Sequence, residues 1–155
     1  MRGAVLAAAL ALATAISGGC GGAEGVAEGA TVSVYSAAGA CKGAKRALAG
    51  AGGRAGSLRV RARCLPEVRR GGRLDLATIG ANARRASQDS TTVAYIGESD
   101  AAATRFSETI LEEANIGQIS STPGAAAMRR VLGAIEEADG GSGSLREEVR
   151  DELQP

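Results

Sequence analysis

Apolar and polar positions along the chain follow two different periods. Residues 91–96 (TTVAYI) are apolar or β-branched without alternation, which predicts a central strand covered on both faces. Residues 58–65 instead alternate, with an arginine at every second position, and this predicts an edge strand with one buried and one solvated face. Shorter apolar runs at residues 31–35 and 116–120 bring the number of predicted strands to four.

Helical periodicity separates these strands. In residues 125–138 the apolar side chains recur at i, i+3, i+4 and i+7, which is typical of an amphipathic helix. These side chains are Met128, Val131, Leu132 and Ile135. The other predicted helices span residues 42–51, 74–87, 101–114 and 144–153. Asp100 is the expected cap of the third helix, and its buried stripe is predicted to be Ala103, Phe106, Ile110 and Ala114.

Strands that alternate with helices of this length favour an α/β fold, with a doubly wound parallel sheet and helices on both faces. The strand order 2-1-3-4 would leave the arginine-bearing strand at the edge, where its solvated face belongs. Ligands of such sheets bind beyond the carboxyl ends of the strands, at the point where the order reverses. The candidate positions are therefore Ser36, the turn at residues 97–104 and residues 120–122.

The N-terminal residues 1–19 have the layout of a signal peptide: Arg2, an apolar run at residues 4–16 and then small residues. The run is too short to cross a bilayer as a helix. Cys20 follows directly and resembles the lipidated cysteine of the bacterial lipoprotein lipobox, although Ser17 stands where leucine is usual. We expect an extracytoplasmic, membrane-anchored chain; secretion with a free Cys20 is the alternative.

The composition of the chain limits the classes of function that it can have. Residues 20–30 are rich in glycine and alanine, which predicts a flexible tether before one domain at residues 31–155. The chain has no histidine, three aromatic rings and a net charge of +1. Histidine-dependent catalysis is thus excluded, and we expect no enzyme, cofactor, metal site or nucleic-acid partner.

Cysteines and arginines add two further expectations. Cys41 and Cys64 would remain in an oxidising compartment after lipidation of Cys20, which predicts a disulfide; two buried thiols are the alternative. Nine arginines fall between residues 54 and 85. They indicate a basic face that is either merely solvated or in contact with anionic lipid headgroups or a partner.

One long stretch resembles a known family. The run TVAYIGESDAAATRFSETILEEANIGQISSTPG is similar to the third strand, third helix and fourth strand of type I periplasmic binding proteins, the leucine/isoleucine/valine-binding family of ABC transporters. CKGAKRALAGAGGRAGSLRVRA resembles the first helix and second strand, and NARRASQDS the second helix. AAMRRVLGAIEEA and LREEVRDEL resemble the C-terminal helix pair, which packs back on the first lobe. The second lobe has no counterpart, so the resemblance implies a single lobe.

The resemblance implies that hydroxyls and helix N-terminal amides bind an amino acid or a similar small solute. The family's ligand-binding serine at the helix start aligns with Ala101, which offers only its backbone. The family's later hydroxyl falls near Thr122, or on Gly124 in a strict alignment, and Glu98 and Asp100 would repel an anion. The predicted ligand-binding residues are Ser36, Ser99, Ala101, Thr104, Ser121 and Thr122.

Two functions remain open at this point. The first is solute binding for an ABC permease, with weak affinity because half a cleft leaves the ligand wet, unless two copies pair as a homodimer. The second is a scaffold or interaction lipoprotein that keeps the lobe fold without a working ligand site.

Overall fold

The structure is a computed structural model that describes residues 27–120, 122–141 and 143–154. The predicted signal peptide, Cys20 and Ser121 lie outside the described residues. Within them the elements are β1 (Thr31–Ser36), α1 (Ala38–Gly50), β2 (Arg54–Ala55), β3 (Leu58–Cys64), β4 (Arg69–Arg70), β5 (Arg73–Leu74), α2 (Leu76–Gln88), β6 (Thr92–Ile96), α3 (Ala101–Glu112), β7 (Gly117–Ile119), α4 (Gly124–Ala138) and α5 (Leu145–Leu153). None of these helices combines the length and apolar character needed to cross a membrane.

Five strands form the main sheet, in the order β2-β3-β1-β6-β7. The pairs β3–β1, β1–β6 and β6–β7 are parallel, and β2 pairs with β3 in the antiparallel sense. The predicted α/β class with a mostly parallel sheet is confirmed. Every described residue of β6 is buried, as the absence of alternation predicted.

The start of β3 is not the edge of the sheet, contrary to the prediction. The two-residue strand β2 pairs there, with Arg54 opposite Arg59 and Ala55 opposite Leu58. β2 lies between turns in which Gly52, Gly53 and Gly56 adopt positive φ angles, and such turns let the chain fold straight back on itself. The arginines of β3 nevertheless remain exposed, while Leu58 and Val60 are buried.

A second, two-stranded sheet pairs β4 with β5, which the sequence did not predict. Strand β5 contains residue 74, at which we expected the second helix to begin. α2 begins instead at Leu76, because the side chain of Asp75 accepts a hydrogen bond from the Thr78 amide and caps the helix there.

Helices α1, α4 and α5 cover one face of the sheet and α2 and α3 cover the other. The four predicted apolar positions of α4 are all buried in the larger core. The stripe predicted for α3 is confirmed at Ala103, and Ile110 and Ala114 are partly buried against the smaller core, but it is wrong at Phe106, which is 44% exposed. The other fully buried positions of α3 are Ser107 and Leu111. Ser107 is tolerated inside because its hydroxyl bonds to the Ala103 carbonyl at 3.2 Å and to the Gln118 side-chain amide at 3.0 Å.

Arg146 fastens α5 to the amino ends of the strands. Its guanidinium donates to the carbonyls of Thr92 (2.8 Å), Asp89 (3.0 Å), Ala114 (3.2 Å) and Ser90 (3.2 Å). These carbonyls belong to the segment entering β6 and to the turn after α3, so one side chain joins three segments. Partial burial of the guanidinium lowers its pKa, although an arginine remains charged at any pH the fold meets.

We predict that Arg146→Gln lowers the free energy of unfolding by about 2 kcal/mol, since four carbonyls lose a charged donor. Arg129→Gln, on the exposed face of α4, is the matched control and should change it by less than about 0.5 kcal/mol. Urea denaturation followed by circular dichroism measures both. Equal effects of the two substitutions would contradict the role given to Arg146.

Candidate functional site

A groove lies at the carboxyl ends of the central strands. Because β1 and β6 are parallel and Ser36 pairs with Ile96, the loops that follow them leave the sheet side by side. The cavity between them measures about 360 Å³. Its lining residues are Gly39, Ala40, Gly97, Glu98, Ser99, Thr122, Pro123 and Gly124.

Of the predicted ligand-binding residues, Ser99 and Thr122 line this groove. Ser36 is fully buried, and its hydroxyl lies 3.4 Å from the Ala37 carbonyl. Thr104 donates to the carbonyls of Asp100 (3.0 Å) and Glu98 (3.3 Å), so its hydroxyl supports the turn rather than facing the groove.

Of the other two predicted positions, Ala101 does not line the groove. Ala101 is the first residue of α3 and is exposed. Ser121 lies outside the described residues. The groove therefore brings together two of the six predicted residues.

Sequence reasoning missed the first turns of α1 and α4, which form much of the groove wall through Gly39, Ala40 and Gly124. Neither helix has a side-chain cap, because Ala37 and Pro123 occupy the capping positions. Both helices thus present N-terminal amides with partial positive charge. No clear signal was present in the sequence, because Ser36 and Thr122 lie one residue before Ala37 and Pro123 and could equally have been interpreted as caps.

The N-terminus of α3 is different. The Asp100 carboxylate accepts from the amides of Ala102 (2.9 Å) and Ala103 (3.2 Å), and it also pairs with the Arg69 guanidinium at 2.8 Å. Asp100 is therefore the cap that the sequence predicted, and it occupies the amides of α3 that would otherwise attract an anion.

Glycines allow the groove walls to approach one another. A Cβ at Gly124 would collide with the backbone of Ala40, and one at Gly43 would lie 2.9 Å from the Ala125 nitrogen. The first turns of α1 and α4 are thus in backbone contact. Gly39 differs, because a Cβ there would meet nothing within 4 Å.

Glu98 is the unusual carboxylate of the groove. Its Oε1 atom is buried and has no hydrogen-bond partner among the described residues. Burial raises the pKa of Glu98 above its usual value, and the nearby charges of Glu67 and Asp100 raise it further, while Arg69 opposes them. The charged form of Glu98 is therefore destabilised in the folded chain, and a bound cation would stabilise it.

We predict that Glu98→Gln increases the free energy of unfolding at pH 7 by about 1 kcal/mol, because it removes a partly buried, unpaired charge. The pKa of Glu98 is higher in the folded chain than in the unfolded chain, so ionisation of this side chain destabilises the fold. This loss of stability is absent below the unfolded pKa and grows as pH rises through the folded pKa. The gain should therefore vanish in acid.

Urea denaturation at several pH values between about 4 and 8 measures this, since that window spans the ordinary glutamate pKa. Glu136→Gln, exposed on α4, serves as the control and should show no such trend. A gain for Glu98→Gln that is the same at every pH would argue against the proposed charge penalty.

Cys41 and Cys64 lie at disulfide distance beside the groove, with their Cα atoms 5.6 Å apart. Cys41 is in the first turn of α1, directly after Ala40, and Cys64 ends β3 opposite Ser36. The bond would fix the uncapped end of α1 to the carboxyl edge of the sheet.

We predict that reduction of this disulfide lowers the free energy of unfolding by about 3 kcal/mol, the value expected for a loop of this size. The loop spans 23 residues. Thermal unfolding with and without reductant measures the loss, and the double variant Cys41→Ala/Cys64→Ala should be insensitive to reductant. Two reactive thiols from Cys41 and Cys64 in the denatured, unreduced chain would rule the bond out.

Comparison of the chain with protein-family models, with curated proteins and with solved structures finds no match. No relative therefore assigns a role to any residue of the groove. Within residues 27–120, 122–141 and 143–154, no three histidine, cysteine or acidic side chains gather closely enough to hold a metal ion.

Proposed function

We propose that this chain is an exported, lipid-anchored solute-binding protein of one lobe, related to the first lobe of type I periplasmic binding proteins, and that its groove binds a small zwitterion such as an amino acid. The observation that carries the proposal is the convergence of two uncapped helix N-termini on one groove. An ABC permease is the partner that this function implies.

The carboxylate of the solute would bind at the first turns of α1 and α4. Backbone amides and the positive ends of two helix dipoles favour an anion there. The exposed hydroxyl of Ser99 lies along the same groove and can donate to the same oxygens. The Thr122 hydroxyl also lines the groove, but it donates to the Ser120 carbonyl at 3.3 Å and would have to exchange this bond for one to the solute. Gly39 leaves room for the solute, because no side chain fills the space beside it.

The ammonium group would be attracted by Glu98. An ion pair would offset the unfavourable charge of this carboxylate, which has a buried oxygen without a partner. The same carboxylate disfavours a purely anionic solute, so the geometry favours a zwitterion over an inorganic anion or a dicarboxylate.

The size of the groove is consistent with such a solute. About 360 Å³ lies near the lower end of the volumes of small-molecule sites. With only one wall-forming lobe the solute stays partly in water, so we expect dissociation constants in the millimolar range.

The fold supports the proposed relationship in two respects. Its four longer strands lie in the order β3-β1-β6-β7, with all neighbours parallel, which is the order we expected of a first lobe. Helices α4 and α5 pack back on the sheet through buried apolar side chains, as the resemblance of the C-terminal segments implied.

A scaffold role is the second candidate. It is favoured by the internal hydrogen bonds of Ser36 and Thr104, which leave fewer hydroxyls for a ligand than the resemblance implied. In that case the groove would be a remnant of the fold with no occupant.

We predict that titration calorimetry of the full chain against single amino acids detects binding of at least one of them in the millimolar range. Gly39→Leu should abolish it by filling the groove. Gly50→Leu, at the other end of α1 and equally unobstructed, should leave binding unchanged. No heat at millimolar concentration with any amino acid would favour the scaffold role.

A further inference from the structure

Charge is strongly segregated along this chain despite the net charge of +1. Residues 54–85 contain nine arginines and two acidic residues. Residues 86–154 contain thirteen acidic and five basic residues. In the sheet the first segment provides β2 and β3 at one side, and the acidic helices α3 and α5 contact β7 at the other, which we call the acidic side. Asp139, at the end of α4, is an exception, since it lies at the β2–β3 turn.

Four arginines lie together at the basic side. Arg59, Arg61 and Arg63 alternate with inward-facing residues of β3, so their side chains share one face over about 13 Å. Arg54 of β2 pairs directly with Arg59 and therefore faces the same way. All four are exposed, and we refer to them as the arginine edge.

The arginine edge has no acidic partner within bridging distance among the described residues. Arg69 and Arg70, on the neighbouring hairpin, do have partners in Asp100 and Asp75. Two carboxylates lie near the arginine edge without pairing with it: Asp139 accepts hydrogen bonds from Ser57 in the β2–β3 turn, and Asp89 accepts from Tyr35 and Thr91.

Like charges placed opposite each other across a strand pair destabilise it. The pairing of Arg54 with Arg59 is such an arrangement, and neither guanidinium forms an ion pair within the described part of the chain. An external surface of negative charge would remove this repulsion. The arrangement thus favours an anionic partner that is broad and flat enough to meet four guanidinium groups at once.

The N-terminal segment leaves the fold beside the arginine edge. The Gly29 amide donates to the Ser57 carbonyl in the β2–β3 turn at 3.2 Å, and Thr31 pairs with Arg59. The described chain therefore begins beside the β2–β3 turn, and not at the β7 side of the sheet.

We propose that the arginine edge docks the protein on an anionic lipid surface, with the acidic side directed away from it. Each arginine near such a surface contributes favourably, and repulsion of the acidic side adds to the orientation. Docking does not depend on solute binding, since the groove lies at the carboxyl ends of the strands. Single-stranded nucleic acid is disfavoured as partner because Tyr35 and Tyr95 are buried, and the exposed ring of Phe106 lies on α3 rather than at the arginine edge.

The test is co-sedimentation of the full chain with vesicles of phosphatidylcholine alone and vesicles containing phosphatidylglycerol. Binding to the first kind measures any contribution of the apolar N-terminus. The additional binding to the anionic vesicles should weaken roughly 100-fold in Arg59→Gln/Arg61→Gln/Arg63→Gln, and disappear at high salt.

Two further variants test whether binding to anionic vesicles depends on the charge of the arginine edge or on another property of the chain. Arg46→Gln/Arg105→Gln/Arg129→Gln removes as many exposed charges from α1, α3 and α4 and should bind like the unchanged chain. Arg59→Lys/Arg61→Lys/Arg63→Lys keeps the charge and should retain most of the binding. Circular dichroism checks that each variant is folded.

The proposal is overturned if anionic lipid adds no binding, or if both glutamine variants lose it equally. It is also overturned if the lysine variant loses as much as the glutamine variant at the arginine edge. Tighter binding of the unchanged chain to duplex DNA than to anionic vesicles at physiological salt would assign the edge to nucleic acid instead.

Discussion

The parallel pairing of β1 with both β3 and β6 is the constraint on which the rest of this structure depends. Val34 of β1 is completely buried, and the strand is covered on both faces as well as on both sides. Parallel neighbours require crossover helices, and those helices supply the cover. The same pairing brings all carboxyl ends of the central strands to one edge, which is why a groove forms there.

The two ends of the sheet differ in how their polar groups are paired. At the amino ends, Arg146 donates to four backbone carbonyls and links α5 to the strands. At the carboxyl ends, α1 and α4 begin without caps, their backbones touch at Gly124, and Glu98 keeps a carboxylate oxygen unpaired. At the amino end most polar groups are paired within the fold, although the buried Thr92 hydroxyl has no partner among the described residues, whereas the carboxyl end holds a strained charge beside two uncapped helix starts.

Sequence patterns predicted correctly the elements whose burial follows from the spacing of apolar residues along the chain. They failed where contacts between distant segments determine which side chains are buried. The uniform apolar run of β6 and the four apolar positions of α4 were sufficient to locate both. Phe106 was expected inside and is exposed, because α3 turns Ser107 inward and Gln118 satisfies its hydroxyl. The pairs β2–β3 and β4–β5 were missed, since strands of two residues have no period of their own. Gly39 and Ala40 were missed as groove residues because their role arises from the approach of two helices distant in sequence.

The central claim is that the carboxyl edge of β1 and β6 binds a small zwitterion through helix N-termini. Amide chemical shifts of the ¹⁵N-labelled chain, recorded during addition of an amino acid that binds, test it most directly. The account predicts that the largest changes fall on Gly39, Ser99, Gly124 and Ala125. Changes concentrated around Arg146 at the opposite edge, or spread evenly over the surface, would contradict it.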